Sequence, residues 1–218
     1  VFEERYRRLV ADLSALPEDK PRRFGVVAIR NGSEVAPAVP GPAPAGADPT
    51  GGLGADPVRA LYRVGCVAEV AAIRTAADGH SELISSGSLR FRLLSVDTTG
   101  PYLVGEVEYL SEESGQGTEE LASSVGLAYT EYRKRVAGGR GRTPAGTQGL
   151  PDDPTALSYA VAATVVADTA VKQRLLEAED TAARLKEELA LLRRETAVID
   201  RLPSLPATEL TRGVPHPN

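Results

Sequence analysis

The sequence predicts an α+β protein, β-rich in its first half and helical in its second. Two observations carry that prediction. Between residues 22 and 110 the apolar residues fall in short runs rich in β-branched side chains, several of them alternating with polar ones, as strands require. After Gly117 they recur every three or four positions, as helices require. A third observation divides the β-rich part into strands: Asn31-Gly32, Asp78-Gly79 and Gly100-Pro101 are turn pairs.

The chain opens on a helix. In "VFEERYRRLV" and the residues after it, Tyr6, Leu9, Val10 and Leu13 form one apolar stripe. Glu3 and Glu4 suit the positive end of the helix dipole, and Pro17 stops the helix. Val1 and Phe2 read as the tail of a preceding strand. "RRFGVVAI" is the next strand. From about Ala36 to Pro57 the composition is Pro, Gly and Ala without periodicity, which predicts a long flexible loop inserted into the β-rich part. "YRVGCVAEVAAI" reads as a buried strand. "SELISSGSLRFRLLSV" reads as a long strand with a bulge or bend at Gly87; in it Leu89, Phe91 and Leu93 face the core while Arg90 and Arg92 face water. "YLVGEVEYL" sets Leu103, Val107 and Tyr109 on one face and Glu106 and Glu108 on the other.

In the second half "EELASSVGLAYTEYRKRVA" predicts a helix with Leu121, Val125, Ala128 and Tyr132 along one side. A second flexible loop follows, about 138–152. Asp153-Pro154 supplies an N-cap and a Pro at the first helical position. The helix it starts, "TALSYAVAATVV", is the most apolar and is expected at the buried centre. "TAVKQRLLEAE" is a short helix. Asp180 caps the last one, where Leu185, Leu189, Leu192, Thr196 and Ile199 make a heptad-like seam; a dimer seam is one reading, and over only about two heptads intramolecular packing is the one expected. The organisation expected is therefore a β-rich unit over 1–115, a helical unit over 116–202 and a Pro-rich tail over 203–218.

Composition narrows the function. The chain has 218 residues, a net charge of −5, one Cys, two His and four Lys. An acidic chain is not an electrostatic nucleic-acid binder. One Cys excludes an internal disulfide and a multi-Cys zinc site and fits a reducing cytoplasm. No run of about 18 apolar residues is present, so no membrane helix is expected.

The search for chemistry is mostly eliminative. None of Lys20, Lys134, Lys172 and Lys186 follows Gly or precedes Ser or Thr, so there is no phosphate-binding loop of the Gly-Lys-Ser/Thr kind. "GGLG" near Gly51 lacks the strand–helix setting of a dinucleotide loop and reads as linker. No Ser lies in a Gly-x-Ser-x-Gly elbow. His80 reads as a turn residue, His216 as part of the tail and Cys66 as a small buried thiol. Glu106 and Glu108 read as a solvent face rather than an acid–base pair. Arg133, Lys134, Arg135, Arg140 and Arg142 read as a helix C-terminus carrying cations that suit its dipole. No catalytic, cofactor-binding or metal-ligating residue is assigned.

Taken together, "VFEERYRRLV", "RFGVVAI", "YRVGCVAEV", "GSLRFRLLSV", "PYLVGEVEYL", "LSYAVAATVV", "VKQRLLEAED" and "RLKEELALLRRE" resemble, in number and order, the N-terminal substrate-binding domain of Lon (La) ATP-dependent proteases. The resemblance runs from residue 1 to about 202 and skips the two Gly/Pro-rich loops. It implies a PUA-like β pseudo-barrel followed by a helical bundle. It also implies two strands ahead of the first helix, which these residues do not include. It is closest in kind to stand-alone bacterial LON-domain proteins, since neither the ATPase nor the Ser–Lys protease module of full Lon proteases is represented. Phe2, Arg5 and Tyr6 carry the family signature and are expected to clasp the helix onto the barrel. The function implied is non-catalytic recognition of unfolded or exposed polypeptide, without a cofactor, alone or for a separate protease or ATPase. Phe91, Tyr102 and Tyr109 are the candidate contacts, on a cleft between the β part and the helices. The alternatives are an ATP-independent hydrolase and an RNA-binding PUA-like domain.

Overall fold

The structure, a computed structural model, describes residues 3–30, 53, 56–75, 81–138 and 149–201. Phe2, the turns at Asn31-Gly32 and Asp78-Gly79, His80, nearly all of the 36–57 stretch, Arg140, Arg142 and the tail with His216 lie outside the described residues. The chain divides into two compact units, Val1–Ser111 and Glu112–Asn218.

The first unit is an antiparallel sheet with helix α1 (Glu4–Ala15). Strands β1 (Arg23–Val26), β2 (Val64–Thr75), β3 (Ser81–Asp97) and β4 (Val104–Tyr109) lie in the order β1-β2-β3-β4, so each pairs with its neighbour in sequence. A single-turn helix, α2 (Pro57–Ala60), precedes β2. It was not expected from the sequence, because four residues carry no periodicity to read.

Strand β3 is continuous, as the alternation predicts, but its pairing slips. Ala68 pairs with Gly87 and Cys66 with Arg90, so two residues of β3 stand opposite one of β2. This is a bulge beside Gly87, and it resets the faces. Phe91 and Leu93 are buried as expected. Leu89, expected with them, is exposed, and Arg90, expected in water, is buried with its Nη2 donating to the Ser111 carbonyl. Beyond β1 and β4, Ala72–Thr75 pair with Ser81–Ile84 as a two-stranded ribbon.

The core of this unit is Leu61, Val67, Phe91 and Leu93, with Val27, Ile29, Leu53, Val96 and Val107 packed around it. Phe91 is 2% exposed, and Gly65 makes room for its ring. A Cβ on Gly65 would lie 2.7 Å from Phe91 Cζ and 2.5 Å from the Val26 carbonyl oxygen. Arginine side chains tie the connections down: Arg22 Nε donates to Leu13 O (3.0 Å), just before the end of α1, and Arg30 Nε to Leu61 O (2.9 Å). Tyr102, in the β3–β4 turn, donates its hydroxyl to Asp12 of α1 at 2.7 Å.

The second unit is helical: α3 (Thr118–Gly138), α4 (Pro154–Thr164), α5 (Thr169–Glu177) and α6 (Thr181–Arg201). Asp153 caps α4 by accepting from Ala156 N, and Asp180 caps α6 by accepting from Ala183 N, each at 2.7 Å. Thr181 N and Ala182 N donate to the carbonyls of Glu113 and Ser114, which joins the start of α6 to the residues leading into α3. At the other end Arg135 of α3 binds Asp200 of α6. Joined start to start and end to end, α3 and α6 run parallel. Gly115 completes the first junction at φ +76°, where a Cβ would meet Ala182 Cβ at 2.7 Å; only glycine satisfies both demands.

The buried centre is α6 rather than the more apolar α4. α4 buries Leu157, Ser158 and Val161, whereas α6 buries Thr181, Ala182, Arg184, Leu185, Glu188, Leu191 and Leu192. Mean hydropathy misleads because α6 carries charges on its inward face as well as its outward one. Leu189 and Ile199 of the heptad-like seam pack on the same intramolecular core.

Replacing Gly65 by Ala forces the Phe91 ring or the β1 backbone to move. We expect Gly65→Ala to lower unfolding stability by about 1–3 kcal/mol, read as a lower denaturant midpoint without loss of far-ultraviolet helical signal.

Candidate functional site

In the first unit, the exposed apolar residues include a group on and beside β4. Val104 is 53% exposed, Tyr109 64% and Leu94 47%. β4 is the last strand of its sheet among the described residues, so one edge of its backbone is open to a further strand. Glu106 and Glu108 are exposed on the same strand; Glu106 accepts from Ser95 Oγ at 2.9 Å and Glu108 pairs with Arg92 at 2.6 Å. They are partners of their neighbours on β3 and have no geometry for acid–base work. The combination is an open strand edge with an aromatic ring at one end, an aliphatic residue at the other and satisfied carboxylates between.

The three aromatics chosen from the sequence separate here. Tyr109 offers its ring to solvent. Tyr102 is half-buried, and its donation to Asp12 raises the phenol's pKa, since the bond requires the neutral hydroxyl. Phe91 is enclosed, because the bulge keeps it on the core face; a ring spent there has no surface for a peptide. Of the expected clasp, Arg5 pairs with Glu3 at 2.8 Å and its guanidinium lies 4.7 Å from the centre of the Tyr6 ring. The ties from α1 to the rest of the unit that sequence reading missed are Asp12–Tyr102 and Leu13–Arg22. Neither pair has a local pattern, as 90 residues separate the first and nine the second.

In the second unit the concentration of polar chemistry is internal. Arg184 of α6 is 0% exposed. Its Nε donates to Leu175 O of α5 at 3.0 Å, its Nη1 to Ser158 Oγ of α4 at 3.1 Å and its Nη2 to Glu112 Oε2 at 3.4 Å. The guanidinium also lies over the Tyr159 ring, 4.0 Å from its centre, and Tyr159 donates its hydroxyl to Glu112 at 2.7 Å. One turn on, Glu188 is equally buried, and neither of its carboxyl oxygens has a hydrogen-bond partner among the described residues. Burial pushes its pKa up to about 8, more than the Arg184 charge pulls it down. The reading of "RLKEEL" as an ordinary amphipathic segment hides both residues, because nothing local tells a buried Arg or Glu from a solvated one.

The remaining candidates are accounted for singly. Burial raises the Cys66 thiol's pKa, which disfavours the nucleophilic thiolate. Lys172 donates to the Ala163 carbonyl, and Lys134 lies 3.8 Å from Glu131. Arg135 pairs with both Glu131 and Asp200, and Arg133 lies 5.9 Å from the centre of the Tyr129 ring. Among the described residues no group of His, Cys, Asp or Glu is arranged to hold a metal.

The family model of the ATP-dependent protease La (LON) substrate-binding domain matches residues 1–194. The chain belongs to the Lon substrate-binding domain family. Among curated proteins it is similar to Lon protease 2 of Sorangium cellulosum, 30% identical over 145 residues, and to Lon protease 2 of Myxococcus xanthus, 27% identical over 142. Each alignment covers 64% of this chain, but only 18% and 17% of the respective relatives. Among solved structures, the Lon N-terminal domain protein from Xanthomonas campestris superposes with a TM-score of 0.53 at 20% identity, over 87% of this chain and 85% of that one. The shared fold is the Lon N-terminal one, an antiparallel sheet plus helices. No ATPase or protease module is matched within these residues.

Within this Lon domain the Arg184 network joins several segments through one buried side chain. Arg184→Met keeps the apolar stem but removes the guanidinium's bonds to Glu112, Ser158 and the Leu175 carbonyl. We expect a loss of roughly 3–5 kcal/mol, read by urea unfolding followed through helical circular dichroism.

Proposed function

We propose that this protein is a non-catalytic, cytoplasmic polypeptide-binding module, recognising unfolded or exposed segments either on its own or for a separate protease or ATPase. The observation that carries the reading is family membership: the matched domain is the substrate-binding one. The β4 region supports it. An extended segment laid along an open strand edge gains main-chain hydrogen bonds whatever its sequence, and an exposed tyrosine beside that edge supplies adaptable apolar contact. Such a surface suits a binder of many clients. Tyr109, with Val104 and Leu94, is the proposed contact group, and Tyr102 borders it from the preceding turn. No described helix is long and apolar enough to cross a membrane. The RNA reading is weakened by the pairing of Lys134 and Arg135 with carboxylates and by the stacking of Arg133 on its own helix.

The test is fluorescence anisotropy with a labelled, permanently unfolded polypeptide. Saturable binding is expected, and Tyr109→Ser should weaken it about tenfold, the scale of a central aromatic contact, with no change in thermal midpoint because the ring is largely exposed. No binding up to high micromolar concentration would refute the module reading. Binding that ignores Tyr109→Ser would relocate the site.

A further inference from the structure

The Arg184 guanidinium holds one carboxyl group, that of Glu112, and acts by its charge on a second, that of Glu188. Glu112 is the present partner, on the lead-in to α3. Its contact with Arg184 Nη2 is 3.4 Å, long for a charge-assisted bond, while its shorter bond is to the Tyr159 hydroxyl. Glu188 is four residues after Arg184, hence on the same helical face, fully buried and without a hydrogen bond among the described residues. A carboxylate there would be a buried, unsatisfied charge, and the nearest relief is the guanidinium one turn away.

We propose that Arg184 is an exchangeable latch: when Glu188 loses its proton, the guanidinium turns to it and lets go of Glu112, freeing the lead-in Glu112–Ser114 from the start of α6. The bonds at stake are Thr181 N to Glu113 O and Ala182 N to Ser114 O, at 2.9 and 3.0 Å. The groups around the exchange come from every packed element. Arg184 is the charge acting on Glu188. Glu112 and the Tyr159 phenol of α4 meet it through Arg184, and α5 supplies the neutral Leu175 carbonyl. The Tyr129 and Tyr132 hydroxyls of α3 are engaged elsewhere, with Thr164 and with Val166 N.

The direction with pH follows from burial. The folded state holds the Glu188 proton more tightly than the unfolded chain, whose Glu titrates near about 4.3. This group's contribution is therefore most favourable below that value. It weakens by up to about tenfold in the folding equilibrium per pH unit as pH rises, and levels off above about 8.

Amide hydrogen exchange followed by NMR across pH 6–9, corrected for intrinsic rates, tests the latch. Protection at Thr181 and Ala182 should fall at least tenfold as pH rises, while Val165, whose amide bonds Val161 O inside the core, keeps its protection. Glu188→Gln should remove the pH dependence, with Glu188→Leu as a second variant should the amide fold poorly. Glu112→Gln should show low protection at Thr181 and Ala182 at every pH. Constant protection in the unaltered protein, pH dependence surviving in Glu188→Gln, or equal loss at Val165 would each overturn the proposal.

Discussion

A buried guanidinium sets the terms for the helical unit. Arg184 is always charged and wholly out of water, so its donors must be met from within. Meeting them fixes several things at once: the end of α5 must present the Leu175 carbonyl, α4 must present Ser158 and the face of Tyr159, and the chain entering α3 must bring Glu112 close. Three separate segments are oriented by one side chain of a fourth. The apolar contacts of Val125, Val161, Leu185 and Leu192 supply driving force, but they are non-directional and would tolerate several arrangements. Arg184 tolerates few. Glu188 then occupies an interior where burial outweighs the pull of the Arg184 charge, which raises its pKa.

The sheet unit is governed by sterics instead. Its small core is centred on Phe91, and the ring fits because Gly65 leaves it room against β1. The bulge after Gly87 is part of the same solution, since it delivers Phe91 and Leu93 inward while turning Leu89 out and Arg90 in. Arginines at the periphery bond the carbonyls that loops and helix ends leave over, a division of labour between packing inside and hydrogen bonding at the margin.

Most of the element order was legible in the sequence, because strands and helices of this length announce themselves through period. The caps at Asp153 and Asp180 were legible because capping is local chemistry. What escaped was whatever depends on distant residues. The bulge reversed the faces of Leu89 and Arg90 through a slip against β2 that no single strand encodes. α4 looked central by composition, yet α6 is more buried. Arg184 and Glu188 escaped for the same reason, since charged residues inside a charged helix carry no mark of burial. The candidate contact surface was legible only as a choice of aromatics, and the structure separates Phe91, spent on packing, from Tyr109, available to a ligand.

The parallel arrangement of α3 and α6 has a kinetic consequence. Two helices that run the same way cannot zip together from a tight turn, as a helical hairpin does. Their mutual contacts span long stretches of chain; Arg135 and Asp200 are 65 residues apart. The loop-closure entropy for such contacts is spent before they return anything. Helices α4 and α5 lie between the two in sequence, and compacting them shortens the loop that the pair must close. The meeting of α3 with α6 is therefore a late event in folding. While it is pending, the inward face of α6, with Leu185 and Leu192, stays open to water. The same apolar residues that later close the core are thus, for that interval, the most exposed part of the helical unit.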